Sequence, residues 1–320
     1  MTIRCRVAAI VLIAVAASVT PSAWAWGCKG HQVIALIAEN YLNPHAREMA
    51  MQILAASPIS TDLRRYCSDS GLDAFADAST WADDERSVER ATAGWHFIDI
   101  PLGVSDGDIS KYCPTSGCVT SAIASQLAVL RNPAASAKAR ADALRYVIHF
   151  IGDLHQPLHT TTNNDLGGNC MPVAFDGQDP EETNTESGNY RPNLHAVWDT
   201  GLIEQFSQGE TPQQLAAELE NKFKPEIPAW ESAPINLASW VWQSHQIAQR
   251  IVYGRLPVKL PVENPEEVKS CSADNRVSDR LFKLHEQLGI SYDVSADAAI
   301  QEQLTRAGVR LAAVLNSVWP

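Results

Sequence analysis

The chain has 320 residues, 45% of them hydrophobic and 19% charged, with 37 acidic side chains against 25 lysines and arginines and a formal net charge of −12. That hydrophobic share supports a large buried core and excludes an intrinsically disordered polyelectrolyte. The acidic balance excludes a protein that grips nucleic acid through a broad basic surface, so any such partner has to meet positive charge supplied locally, bound divalent cations being one source.

The first residues read as a secretory signal. Arg4 and Arg6 form a basic start, Val7 to Val19 an apolar run, and Ala23-Trp24-Ala25 a small-x-small cleavage site, with the cut after Ala25. The run is short for a bilayer-spanning helix; the alternative is an uncleaved amphiphilic anchor. Cleavage removes residues 1–25, takes the net charge from −12 to −14 through the loss of Arg4 and Arg6, and frees the α-amino group of Trp26, a nitrogen able to bind metal. Residues 26–320 are expected to form one domain, with no membrane span. The N-x-S/T glycosylation signal is missing from the sequence. A secreted or periplasmic protein is expected.

Helical periodicity dominates the rest. His31–Leu42 carries Val33, Ile34, Ile37, Ala38 and Tyr41 on one face, Asn43-Pro44 stops it, and a second helix is expected over His45–Ala56. Trp95–Ile100 is the one short alternating segment and predicts a strand. Helices follow over Thr120–Arg131 and Ala137–Leu154, the latter stopped ahead of Pro157. Asn163–Asn193 reads as an irregular loop. Thr211–Phe223 and Pro234–Tyr253 read as helices, Leu256–Asn275 as a proline-rich loop, and Val277–Leu288 and Ala296–Val318 as the last helices. The fold class is all-α.

Cys5 falls in the signal. The six others, Cys28, Cys67, Cys113, Cys118, Cys170 and Cys271, are an even set and read as disulfides. Cys113 and Cys118 enclose a short Pro/Ser/Gly segment and are expected to pair; the other four leave three connectivities open. A zinc-thiolate site finds no C-x-x-C pair to support it.

The chemistry concentrates in His149-Phe-Ile-Gly-Asp153-Leu-His155-Gln-Pro-Leu-His159. His149 and Asp153 are four apart and share a helix face, with His159 just beyond the proline. His195 and Asp199 repeat the spacing. Neutral imidazoles and carboxylates are natural zinc ligands. One such pair alone reads as a surface ion pair before it reads as a metal site, but two on apolar helices with a third histidine favour metal, since burying them unpartnered is costly. His155 faces the other way and reads as structural, and His45, His245 and His285 as surface or satisfied core histidines. His31 lies five residues after Trp26, Asp83 sits in Trp81-Ala-Asp83, and His96 and Asp99 in His96-Phe-Ile-Asp99.

These motifs, in this order, make the chain resemble the single-strand-specific zinc nuclease family (S-one/P-one type), whose fold is shared with zinc-dependent phospholipase C. The set is W-x-x-x-G-H, W-A-D, H-F-I-D, H-F-x-G-D-x-H-Q-P-L-H, G-G-N and N-L-H-x-x-W-D, and it covers nearly all of residues 26–320. The resemblance implies three zinc ions: one held by Asp83, His96, His149 and Asp153, one by His159, His195 and Asp199, and one by the amino nitrogen and carbonyl oxygen of Trp26 with His31 and Asp153. It implies that Asp83 also orients the attacking water and that Arg86 stabilises the phosphate. Arg86 also reads as an ion-pair partner of Asp83-Asp84-Glu85. The resemblance places an unpaired base between Phe97 and Leu166, with Asp99 and Asn169 on its edge and Tyr190 at a second base site. Phe97 reads equally as core packing. The loop before Asn169 is one residue longer than the family pattern, and the Pro172–Arg191 insert exceeds that of the fungal proteins.

Single-stranded DNA and RNA, and nucleotides, are the implied substrates, cleaved to 5′-phosphates, with 3′-nucleotidase activity beside; the chain is expected to be a monomer without a stable protein partner. Phospholipase C activity is the nearest rival. The five-residue step from Trp26 to His31 and the final ligand Asp199, rather than glutamate, are the nuclease pattern. A non-catalytic zinc protein is the other rival, but a structural site is coordinatively closed, whereas His159, His195 and Asp199 supply three ligands.

Overall fold

α6 (Ala137–Leu154) starts exposed, but from Ala143 to Leu154 every side chain is buried. A helix buried on all sides belongs at the centre of a fold. The computed structural model describes residues 26–67, 73–184, 189–264, 271 and 287–320. The expected signal peptide lies outside them, as do His285 and all but the end of the expected helix Val277–Leu288. Its last two residues are extended: Gln287 bridges Ala174, and Leu288 N–H donates to Ala174 O at 3.0 Å.

The packing around α6 comes from α1 (Cys28–Tyr41), α2 (Pro44–Ala56), α3 (Ala74–Ala78), α4 (Trp81–Arg86) and α5 (Val119–Arg131) before it. After it come α7 (Leu194–Ala196), α8 (Leu202–Ser207), α9 (Pro212–Lys222), α10 (Ile227–Glu231), α11 (Leu237–Ile247) and α12 (Ile290–Val318). α5 lies along α6, α1 lies between α12 and α9 and touches α6, and α4 rests on α6. π-helical turns over Val197–Gly201 and Ala248–Val252 follow α7 and α11. The architecture is all-α; the described residues add one two-stranded antiparallel hairpin, Glu181–Asn184 with Asn189–Arg191, inside the segment expected to be irregular.

Caps decide the helix ends. Asn43 Oδ1 accepts Ala46 N–H at 2.7 Å, ahead of Pro44 at the first turn of α2. Ser136 Oγ accepts Ala139 N–H at 3.2 Å and starts α6 at the expected residue. Asn236 Oδ1 accepts Ser239 N–H at 3.0 Å, which starts α11 at Leu237 rather than at Pro234. α1 and α12 begin earlier than expected, at Cys28 and Ile290.

The strand expected over Trp95–Ile100 is not one. Arg90–His96 is a 3-10 turn, and only the chain beyond it is extended. The alternation there is real, with Ile98 and Ile100 buried and Phe97 and Asp99 outward. Its partner is a loop rather than a sheet: Ile98 N–H donates to His159 O at 2.8 Å, and Thr162 N–H to Ile100 O at 3.0 Å.

Three disulfides tie the chain. Cys113–Cys118 is the expected pair, and Cys28–Cys67 and Cys170–Cys271 settle the connectivity left open. Among the described residues no helix is long and apolar enough to cross a membrane.

Candidate metal centre and base pocket

His31, Asp83, His96, His149, Asp153, His159, His195 and Asp199 are all buried, and they come together in three groups, two of which share His149. The groups are His31/His149/Asp153, Asp83/His96/His149 and His159/His195/Asp199, with ligand atoms in each within 4.8 Å of one another. α6 presents His149 and Asp153 one turn apart, α4 presents Asp83, and α1 presents His31. Gly152 makes room for the last: a Cβ there would lie 3.0 Å from His31 Nδ1. His31 consequently stacks on His149, with ring centroids 3.9 Å apart.

The imidazoles are oriented from behind. Nδ1 of His149 lies 2.7 Å from Ser79 O, Nδ1 of His159 2.8 Å from His96 O, and Nδ1 of His195 2.6 Å from Gly167 O. A carbonyl oxygen only accepts, so each Nδ1 carries a proton, and in the neutral ring each Nε2 carries the lone pair. Those lone pairs converge. Nε2 of His159 and His195 are 3.2 Å apart, and His149 Nε2 is 3.1 Å from His96 Nδ1. The carboxylates close in: Asp153 Oδ2 is 3.0 Å from His96 Nδ1, Asp153 Oδ1 3.4 Å from His31 Nε2, and Asp199 Oδ2 3.2 Å from His195 Nε2. Asp83 Oδ1 lies 3.7 Å from both His96 Nδ1 and His149 Nε2.

Buried acceptors so arranged are suited to a cation. Both ring nitrogens of His31 and the oxygens Asp83 Oδ1, Asp153 Oδ1 and Asp199 Oδ2 have no hydrogen-bond partner among the described residues. Such atoms would be costly to leave bare. The donor set, imidazole plus carboxylate, fits a borderline divalent metal.

The electrostatics divide the five imidazoles: burial pushes His195 down, but Asp199 outweighs it and raises the group. Burial holds His31, His96 and His159 well below the usual imidazole range, in the neutral form a metal requires. Burial also pushes His149 down, but Asp153 and Asp83 outweigh it and raise the group to about 9. Burial raises Asp153 to about 7, against His149. A proton held by that pair occupies the place a cation would take.

His155 is buried on the far side of α6, with Nδ1 2.7 Å from Ile151 O and Nε2 accepting from Arg310 at 3.0 Å. His245 is a satisfied core histidine bonded to Thr161 Oγ1 and Val104 O, and His45 is exposed. All three follow the sequence reading.

A cavity of about 250 Å³ opens beside the histidines and gathers Arg86, Phe97, Asp99, Leu166 and Asn169. Phe97 is 38% exposed there, which decides against core packing. Asp99 reaches solvent but is walled in by protein, and this surrounding, with Asp165 nearby, raises its carboxyl to about 6 against the pull of His195. Leu166 takes φ 53° and Gly167 φ 60°, and a Cβ on Gly167 would lie 2.5 Å from Leu158 O. Asn169 spends one N–H on Leu166 O at 2.8 Å. Arg86 lines the cavity and lies 3.6 Å from Asp83 Oδ1, the ion-pair setting the sequence offered for it. Tyr190 sits on the second hairpin strand and does not line this cavity. Trp26 is fully buried and donates its indole N–H to Gly152 O at 2.9 Å, one residue before Asp153.

Two supporting residues were not foreseen. Gln156 Nε2 donates to Asp199 Oδ1 at 2.6 Å. Asp165, buried under the pocket loop, accepts Asn163 N–H and Tyr253 O–H at 3.0 and 2.8 Å. The available signal for Gln156 was its place between two histidines of one motif; for Asp165 there was none.

A family model for S1/P1 Nuclease matches residues 26–320. Endonuclease 3 of Arabidopsis thaliana is 26% identical over 324 aligned positions, covering 97% of this chain and 94% of that protein. Nuclease P1 of Penicillium citrinum is 34% identical over 189 positions, 58% of this chain and 60% of that protein. Nuclease S1 of Aspergillus oryzae is 29% identical over 191 positions, 58% of this chain and 57% of that protein.

Proposed function

Since the chain belongs to the S1/P1 nuclease family, we propose that it is a secreted zinc-dependent endonuclease that cleaves single-stranded DNA and RNA to 5′-phosphorylated products, with 3′-nucleotidase activity on the same site. The enzyme is a phosphodiester hydrolase. The observation that carries the metal assignment is the convergence of the Nε2 lone pairs of His149, His159 and His195 on carboxylate oxygens without donors.

Asp83, His96, His149 and Asp153 would hold one zinc, His159, His195 and Asp199 a second, and the Trp26 amino and carbonyl groups with His31 and Asp153 a third. Zinc supplies Lewis acidity at the phosphate and a lowered pKa for water. Asp83, with Oδ1 free of hydrogen-bond donors among the described residues, orients the attacking water. Arg86 neutralises charge on the phosphate and the leaving 3′-oxygen. Phe97 stacks on one splayed base with Leu166 opposite, while Asp99 and Asn169 meet its edge; stacking needs an unpaired base and tolerates any sequence. Tyr190 serves a second base outside this cavity.

The assignment requires signal removal after Ala25, so that residues 26–320 form one secreted or periplasmic domain, and the working form is a monomer. Three disulfides suit an oxidising compartment. The test is to purify the chain starting at Trp26, count zinc by elemental analysis, and assay single-stranded DNA with and without chelator. About three zinc ions and chelator-sensitive release of 5′-phosphates support the reading. Zinc without cleavage transfers the site to phosphatidylcholine hydrolysis, the next substrate to try. A folded protein without zinc refutes it.

A further inference from the structure

On the far side of α6 from the metal ligands, a second cavity of about 480 Å³ lies between α10, α11 with its π-helical extension, and α12. Its walls carry three arginines, Arg250, Arg306 and Arg310, and one acid, Glu302. In a chain of net charge −12 this is a local reversal of sign.

Arg310 is the informative member. It is only 5% exposed, yet none of its hydrogen-bond partners is a carboxylate. Its guanidinium donates to His155 Nε2 at 3.0 Å and to Gln243 Oε1 at 2.7 Å, and Nε has no partner among the described residues. His155 Nδ1 faces Ile151 O at 2.7 Å and so carries the ring proton, which leaves Nε2 as the acceptor. The face of Trp240 lies 4.8 Å from the Arg310 guanidinium carbon. Arg306 is paired with Glu302, donates to Gln303 Oε1 at 2.9 Å, lies over Trp230, and keeps a buried Nε without a partner among the described residues. Glu302 thus answers one arginine of three. Arg250 is exposed at the rim. A buried guanidinium is tolerated when an anion completes its donors, and phosphate matches that fork.

We propose that this cavity is a phosphate-binding site, separate from the metal centre, in which Arg250, Arg306 and Arg310 receive the phosphate of a nucleotide or of a polynucleotide strand. Its position behind α6 places it outside the catalytic cleft, so its occupant is a second molecule or a distant part of a long strand.

The experiment titrates inorganic phosphate into the metal-loaded protein by calorimetry, alongside Arg250→Glu and Arg306→Gln. Arg250 is exposed and outside the core, so its variant folds. Two classes of site are expected in the wild type, one of them weakened about tenfold or more in each variant, with cleavage of a dinucleotide unchanged. A rise in KM for long single strands, absent with the dinucleotide, would assign the site to the substrate strand. Loss of phosphate affinity without that rise would assign it to free phosphate or mononucleotide. One phosphate site in the wild type, or two undiminished sites in both variants, overturns the proposal and leaves the metal-centre reading untouched.

Discussion

Gln156 clamps Asp199. Its Nε2 donates to Asp199 Oδ1 at 2.6 Å while its Oε1 accepts Leu158 N–H at 2.6 Å, so the amide is fixed at both ends. Oδ2 of Asp199 is left to face His195. Gln156→Ala frees the carboxylate to rotate. Metal retention against a competing chelator and kcat are each expected to fall about 10–100-fold. Unchanged retention would show that Asp199 is held by its helix alone.

Phe97 contributes little to the core, being 38% exposed at the pocket. Phe97→Ala is therefore expected to leave thermal stability unchanged and to cost about 1–3 kcal/mol of base stacking, seen in KM for a dinucleotide. A fall in Tm with KM unaffected would return Phe97 to a packing role.

Glu39 on α1 makes stability depend on pH. Burial, with a hydrogen bond and repulsion from Asp73, raises its carboxyl to about 7 against Arg47. Its ordinary value is 4.5, so between these values the folded chain binds a proton that the unfolded chain does not. The contribution is whole below the lower value and lost as pH rises through the upper one. Glu39→Gln is expected to match the wild-type Tm near about pH 4 and to exceed it at about pH 8. An equal Tm difference at both pH values would contradict this.

Cys170–Cys271 spans a sequence separation of 101 and anchors the loop that carries Leu166 and Asn169. Replacing both cysteines by alanine is expected to cost about 4–5 kcal/mol by chain entropy, measured by denaturant unfolding. Because the loop borders the base pocket, KM is expected to rise more than kcat falls. Wild-type KM in the variant would show that the left-handed turns hold the loop unaided.

The sequence made the helices legible wherever apolar periodicity and a cap coincided, as at Ser136 and α6. It misplaced ends where one signal stood alone: Pro234 looked like a start, but Asn236 supplies the cap. The 97–100 alternation reported burial correctly and pairing wrongly, because period 2 says which side chains face inward and nothing about what lies alongside. Grouping His31, Asp83 and His96 with His149/Asp153 and His195/Asp199 rested on the family resemblance, whereas those two pairs were readable because i,i+4 spacing on a helix is local. Gln156 and Asp165 were not, since their roles depend on partners 43 and 88 residues away. The arginines of the second cavity were equally hidden, being brought together from the π-helical turn after α11 and from α12.

Both walls of the base pocket are chain neighbours of groups that set the metal site. Phe97 and Asp99 continue directly from His96, while Leu166 and Asn169 flank Gly167 and Gly168, and Gly167 O orients His195. Movement of either wall is therefore transmitted to an imidazole. With metal and base bound as proposed, the two sites are expected to be cooperative, and thermodynamic reciprocity makes the coupling equal in both directions. A nucleoside with no phosphate, seated only in the pocket, is then expected to slow the loss of metal to a chelator, and stripping the metal to weaken that nucleoside by the same factor.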